Sequence, residues 1–223
     1  MKILFIGNSY TYYNDMPTLF KALALENGKD ASVFSVTKGG RRLYENLAPC
    51  DENHEKIVEI CKEKDLDVLF LQEQSLLPLT DTSHFHEGIT ALASVVGAKR
   101  NILYATWGRN EGSPTLSELG LTSATMTDAL FEKYSEAGRL IGAEISPVGL
   151  LFKYITEHFP DIQLYNPDRS HPSYFGSAVA AVCHFAVAFG SLPKSLSSLS
   201  LSDGEIKAIK SAMNQILYFK GTL

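Results

Sequence analysis

No run in this 223-residue sequence approaches the ~20 consecutive apolar residues that cross a membrane. The first apolar run, Ile3-Leu4-Phe5-Ile6, gives way at once to Gly7-Asn8-Ser9, so it lacks the longer stretch and small-residue cleavage site of a secretory leader. Cysteine is scarce: Cys50, Cys61 and Cys183 are odd in number and far apart. They make neither a disulfide framework nor a CxxC metal motif, and a reducing compartment is the simpler expectation. Positive charge is not in excess, with 20 Lys and Arg against 25 Asp and Glu and a net charge of −5. That argues against a nucleic-acid partner held by phosphate neutralisation. Sixteen glycines and nine prolines are too few for a low-complexity or collagen-like chain. Neither the GxGxxG fingerprint nor the GxxxxGK[ST] phosphate loop occurs. These absences leave a cytoplasmic globular protein, read as one domain over residues 1–223, without membrane or nucleic-acid partner.

Short apolar runs alternate with amphipathic stretches. Strands are expected at Lys2–Ile6, Ala31–Thr37, Asp67–Leu71, Asn101–Thr106 and Ala143–Ser146, and the nearly all-apolar Val68-Leu69-Phe70-Leu71 suits a parallel sheet covered on both faces. Helices are expected at Thr18–Glu26 behind Pro17, Asp51–Lys64, His86–Val96, Thr122–Leu140, Val148–His158, Ser173–Phe189, and from Ser202 or Asp203 to about Phe219. The alternation predicts an α/β protein, a three-layer α/β/α sandwich with a parallel sheet of about five strands. In such sheets ligands sit beyond the carboxyl ends of the strands. Polar and glycine-rich segments gather at that edge: Gly7-Asn8-Ser9, Gly39-Gly40, Gln72-Glu73-Gln74-Ser75 and Trp107-Gly108-Arg109.

Ser9, after a buried strand, can sit at a helix N-terminus, where free N–H groups favour developing negative charge. A helix-capping serine would look the same. Asp168-Arg169-Ser170-His171-Pro172 supplies what a serine nucleophile needs. His171 is an imidazole base in the useful range, and Asp168 three residues earlier is close enough for a turn to aim its carboxylate at the other ring nitrogen. Pro172 is expected to open the next helix. A glycine N–H from Gly39 or Gly40, or a glutamine amide from Gln72 or Gln74, could donate to an oxyanion; a plain turn and a polar strand cap are the alternatives. His84 and His86 lack a third ligand, so no metal is expected, and His184 on an apolar helix reads as a core histidine. Tyr10, Tyr12, Tyr13 and Trp107 offer flat walls for a sugar ring or acyl chain, with core packing the alternative for each. Arg41, Arg42, Arg109 and Arg169 lie beside strand-end loops, where one could grip a substrate carboxylate and the others be solvated charges.

Together the segments resemble the SGNH (GDSL-like) hydrolase superfamily. Gly7-Asn8-Ser9 matches its first motif, usually Gly-Asp-Ser. Gly39 or Gly40 matches the second-motif glycine, and Asp168-Arg169-Ser170-His171-Pro172 meets the Asp-x-x-His-Pro motif in full. The third motif departs: Gln72-Glu73-Gln74-Ser75 stands in place of Gly-x-Asn-Asp and is similar to the glutamine variant of some carbohydrate acetylesterases. The resemblance implies a flavodoxin-like fold and a cofactor-free serine esterase, with Ser9 as nucleophile, His171 as base and acid, and Asp168 orienting it. The Ser9 N–H, a Gly39 or Gly40 N–H and a Gln74 or Gln72 amide would form the oxyanion hole, and Trp107, Tyr10 and Arg109 would contact a small-molecule or carbohydrate ester. A noncatalytic binding module, expected to hold Ser9 and His171 far apart or to bind anions at the first loop without turnover, and a lapsed hydrolase acting as an interaction protein are the competing readings.

Overall fold

A computed structural model describes residues 1–63 and 65–217 of the chain. Five strands, β1 (Lys2–Gly7), β2 (Ser32–Thr37), β3 (Val68–Leu71), β4 (Arg100–Tyr104) and β5 (Glu144–Ser146), form one sheet in the order β2-β1-β3-β4-β5. Every pairing is parallel, with Leu4 opposite Phe34 and Leu69, and Phe70 opposite Ile102. This is the flavodoxin-like order, whose topology reverses between β1 and β3. All the carboxyl ends therefore share one edge, and the reversal opens a crevice there.

Among the described residues ten α-helices cover the sheet or cross its edge: α1 (Ser9–Tyr12), α2 (Met16–Glu26), α3 (Glu52–Glu63), α4 (Leu77–Thr80), α5 (Thr82–Val96), α6 (Pro114–Leu119), α7 (Ser123–Ile141), α8 (Val148–His158), α9 (Tyr174–Phe189) and α10 (Asp203–Ile216). Because strand side chains alternate, each strand feeds two cores. Ile3, Phe5, Val68, Phe70, Ile102 and Tyr104 pack against α2, α8, α9 and α10. Leu4, Ile6, Leu69, Leu71 and Leu103 pack against α3, α5 and α7. The result is the expected α/β/α sandwich. Among the described residues no helix is long and apolar enough to cross a membrane.

Several boundaries differ from expectation, and two short helices were not expected. Helix α5 begins four residues before His86, because Asp81 caps it by accepting the His84 N–H at 3.2 Å; the polar Thr82-Ser83 turn hides that start in a hydrophobicity pattern. The short helices α4 and α6 bury only a few side chains each and have no readable period. Pro172 does not open α9. It pairs across a bridge with Tyr165, and Ser173 caps the helix by accepting the Gly176 N–H. The expected ends of the third and last helices, at Lys64 and Phe219, lie outside the described residues.

Candidate active site

Strand β1 ends at Gly7, where the chain needs a residue without a side chain: a Cβ would lie 2.5 Å from Thr11 Oγ1 and 2.7 Å from Gln72 Oε1. That close approach lets the first turn of α1 fold against the end of β3. Gln72 Oε1 accepts the Asn8 N–H and the Thr11 hydroxyl, both at 2.9 Å. Asn8 caps α1 by accepting the Tyr10 N–H at 3.1 Å and donates its amide to the Arg41 carbonyl at 3.0 Å. An aspartate at position 8 has no N–H for that second bond, so this loop geometry favours Asn over Asp. Ser9 is thereby presented at the sheet edge, 8% exposed, on a turn fixed from three sides.

The second half comes from a tight loop before α9. Asn166 N–H donates to the His171 carbonyl at 2.8 Å and Ser173 N–H to the Leu164 carbonyl at 2.9 Å, closing the loop at its base. Asp168 Oδ1 accepts the Ser170 and His171 N–H groups at 3.0 and 2.9 Å, while Oδ2 lies 2.6 Å from His171 Nδ1. An ionised carboxylate only accepts, so Nδ1 carries the proton and a neutral ring presents Nε2 as acceptor. The Ser9 hydroxyl lies 2.9 Å from that nitrogen. Burial opposes ionisation of Asp168, but the bonds from the His171 ring and the two N–H groups outweigh it and hold the carboxyl below its usual range. Tyr13 stacks on the His171 ring at 4.2 Å and 10°.

Loop 107–112 supports this loop from behind. Trp107 is completely buried between Tyr10 (4.6 Å, 6°) and Phe152 (4.1 Å, 3°) and donates its indole N–H to the Ser170 carbonyl at 3.0 Å. The expectation that Trp107 and Tyr10 form walls for a ligand is therefore corrected: both are buried in an aromatic stack under the site. Arg169, in the left-handed region at φ 60°, donates to the Glu111 carbonyl at 2.6 Å, and its carbonyl accepts the Asn110 N–H at 2.9 Å. Gly112 is required opposite it, since a Cβ there would overlap the guanidinium.

The two glutamines have separate roles. Gln72 is buried, and its amide nitrogen donates to the Glu73 carbonyl, so the expectation that it donates to an oxyanion is corrected as well. Gln74 is half-buried; its Oε1 accepts the Leu76 and Leu77 N–H groups, and its Nε2 has no acceptor among the described residues. The Ser9, Gly39 and Gly40 N–H groups likewise have no protein acceptor among the described residues. A Cβ on Gly39 would lie 3.1 Å from the Tyr12 hydroxyl, against the Ser9 helix, whereas Gly40 takes the positive φ (66°) and faces open space. Sequence reasoning passed over Glu73. Fully buried, it accepts the Leu43 N–H on both oxygens, at 3.0 and 3.2 Å, and the Gln74 N–H at 2.6 Å. It ties the loop after Gly39-Gly40 to the end of β3. Burial pushes its carboxyl up to about 8, although those N–H groups favour the charged form.

No protein-family model matches the sequence, and no curated protein matches it. Solved structures do. A candidate SGNH hydrolase from Slackia heliotrinireducens is 29% identical, covering 84% of this chain and 98% of its own, with a TM-score of 0.74. The chain belongs to the SGNH (GDSL-like) hydrolase superfamily. A DUF4886 family protein from Bacteroides uniformis, 17% identical, covers 98% of this chain and 95% of its own with a TM-score of 0.72. The acetyl xylan esterase AlAXEase, 14% identical, covers 84% and 99% with a TM-score of 0.63, and shares the fold. In this SGNH chain the distances join residues 9, 168 and 171 across 162 positions of sequence.

Proposed function

We propose that the protein is a serine esterase working through an acyl-enzyme. The observation that carries this reading is the hydrogen-bonded chain from Ser9 Oγ through the His171 ring to Asp168, at 2.9 and 2.6 Å. Ser9 attacks the ester carbonyl while His171 Nε2 takes its proton. Asp168 fixes the tautomer and stabilises the imidazolium. The tetrahedral oxyanion is held by the Ser9 N–H, the Gly39 N–H and the Gln74 Nε2 amide. Gly39 is preferred to Gly40 because it is the one that faces the Ser9 helix. His171 then protonates the leaving alcohol and activates the water that hydrolyses the acyl-enzyme.

The substrate class proposed is an acetyl or other short-acyl ester of a carbohydrate. The glutamine third motif supports it, and so does the shared fold of an acetyl xylan esterase. Tyr12, 41% exposed and on the same short helix as Ser9, offers a flat face that a sugar ring would use.

The test is hydrolysis of 4-nitrophenyl esters of increasing chain length by the wild type, Ser9→Ala and Gln74→Ala. Ser9→Ala should lose about 10⁴-fold or more in kcat. Gln74→Ala should lose about 10²–10³-fold, as for one oxyanion donor. Equal rates in wild type and Ser9→Ala, with no fluorophosphonate adduct on Ser9, would sink the proposal.

A further inference from the structure

Four arginines lie beside the strand-end loops, and their surroundings separate them. Arg41 Nη2 sits 2.5 Å from the Asp51 carboxylate and donates to the Glu45 carbonyl. Arg42 is exposed and donates to the Tyr44 hydroxyl. Arg169 is spent on the Glu111 carbonyl. Arg109 differs from all three. Its Nη1 donates to the Tyr10 hydroxyl at 2.6 Å and its Nη2 to the Ser75 hydroxyl at 2.8 Å, and its Nε is buried with no partner. Among the described residues no carboxylate pairs with it.

A guanidinium has five N–H donors in one plane. Arg109 commits two of them to neutral hydroxyls and is half-buried. A desolvated cation without a counter-ion is costly, and a docking anion recovers that cost. Its place matters too. Tyr10 follows Ser9 in sequence and Ser75 follows Gln74, so the guanidinium bridges the two strand ends that carry the nucleophile and the free amide. The Tyr10 hydroxyl also shares a hydrogen bond with Ser170 Oγ at 2.9 Å, between Asp168 and His171 in the chain. The charge is thus tied to the residues that follow the nucleophile and the free amide.

We propose that Arg109 makes this enzyme selective for esters that carry a carboxylate, such as acylated acidic sugars or half-esters of dicarboxylic acids. The proposal rests on the esterase reading above and names the substrate class of the same site.

The test uses two matched pairs. One places the charge on the acyl side, mono-4-nitrophenyl glutarate against 4-nitrophenyl butyrate. The other places it on the alcohol side, 4-acetoxybenzoate against its methyl ester. The wild type should favour the anionic member of at least one pair, and added salt should shrink the preference. Arg109→Gln should lower kcat/KM for that anion by about 10- to 100-fold more than for its neutral partner, the factor carried by a hydrogen bond to a charged group. Arg109→Lys should restore part of the preference. A wild type that favours the neutral member of both pairs overturns the proposal. Equal loss on both members in Arg109→Gln also overturns it, because it would mean Arg109 acts only through Tyr10 and Ser75.

Calorimetric titration of Ser9→Ala with glutarate and with 4-hydroxybenzoate separates this proposal from the esterase reading. If the wild type hydrolyses no ester and Ser9 takes no fluorophosphonate, the esterase reading fails. Anion binding by Ser9→Ala that disappears in Ser9→Ala/Arg109→Gln would still support the arginine site, and absence of binding to both anions would overturn it.

Discussion

Replacing Glu73 by Gln should change how stability depends on pH. The side chain is fully buried, its oxygens face the Leu43 and Gln74 N–H groups, and burial raises its carboxyl from the ordinary 4.5 to about 8. Between those values the native protein holds a proton that the unfolded chain has released. Stability contributed by Glu73 is therefore fully present below about pH 4.5 and is lost as pH rises through about 8, with a slope of at most ~1.4 kcal/mol per pH unit. The full shift corresponds to a loss of about 5 kcal/mol. Glutamine cannot titrate, and every histidine is common to both proteins and cancels in the difference. Urea unfolding of wild type and Glu73→Gln from about pH 5 to about pH 9 should show the wild type losing stability relative to the variant up to about pH 8, then levelling. A difference that stays constant, or that grows in favour of the wild type with pH, would refute the reasoning. Either outcome would mean that the Leu43 and Gln74 N–H groups overcome burial and Glu73 is an ordinary buried carboxylate.

Trp107→Ala empties the centre of the Tyr10–Trp107–Phe152 stack and should cost about 3–5 kcal/mol in chemical denaturation. It should also lower kcat, because the Ser170 carbonyl loses its indole donor; unchanged stability would place the indole at the surface. Gly112→Ala combines a positive φ of 78° with overlap of the Arg169 guanidinium, whereas Gly120→Ala has a similar φ of 65° and open space around it. The first should lose activity by unlatching the Asp168–His171 loop and the second should keep it, so equal activity in the two variants would exclude a role for the Arg169–Glu111 latch.

Much of the fold was legible in the sequence. All five strands and seven of the helices follow from apolar periodicity and capping residues, because a parallel sheet buried on both faces leaves short, nearly all-apolar runs such as Val68–Leu71. Ser9, Asp168 and His171 were legible as a set because each lies in a short segment with recognisable chemistry. Their meeting was not: Ser9 and His171 are 162 residues apart, and only the sheet order and the loop closed by Asn166 and Ser173 bring Oγ to Nε2. Tertiary structure alone also decided between residues that look alike in sequence. Gln72 and Gln74 are two positions apart just beyond the end of β3, where the chain turns and the strand's alternation no longer places side chains; one is locked into the α1 turn and the other keeps a free amide. Trp107 and Tyr10 are aromatic residues at a functional edge, which sequence reads as ligand walls, yet mutual stacking buries them. Arg41 and Arg109 carry the same charge beside similar loops. Asp51 neutralises one and, among the described residues, no acid pairs with the other, a distinction that depends on which side chains a distant segment folds against them.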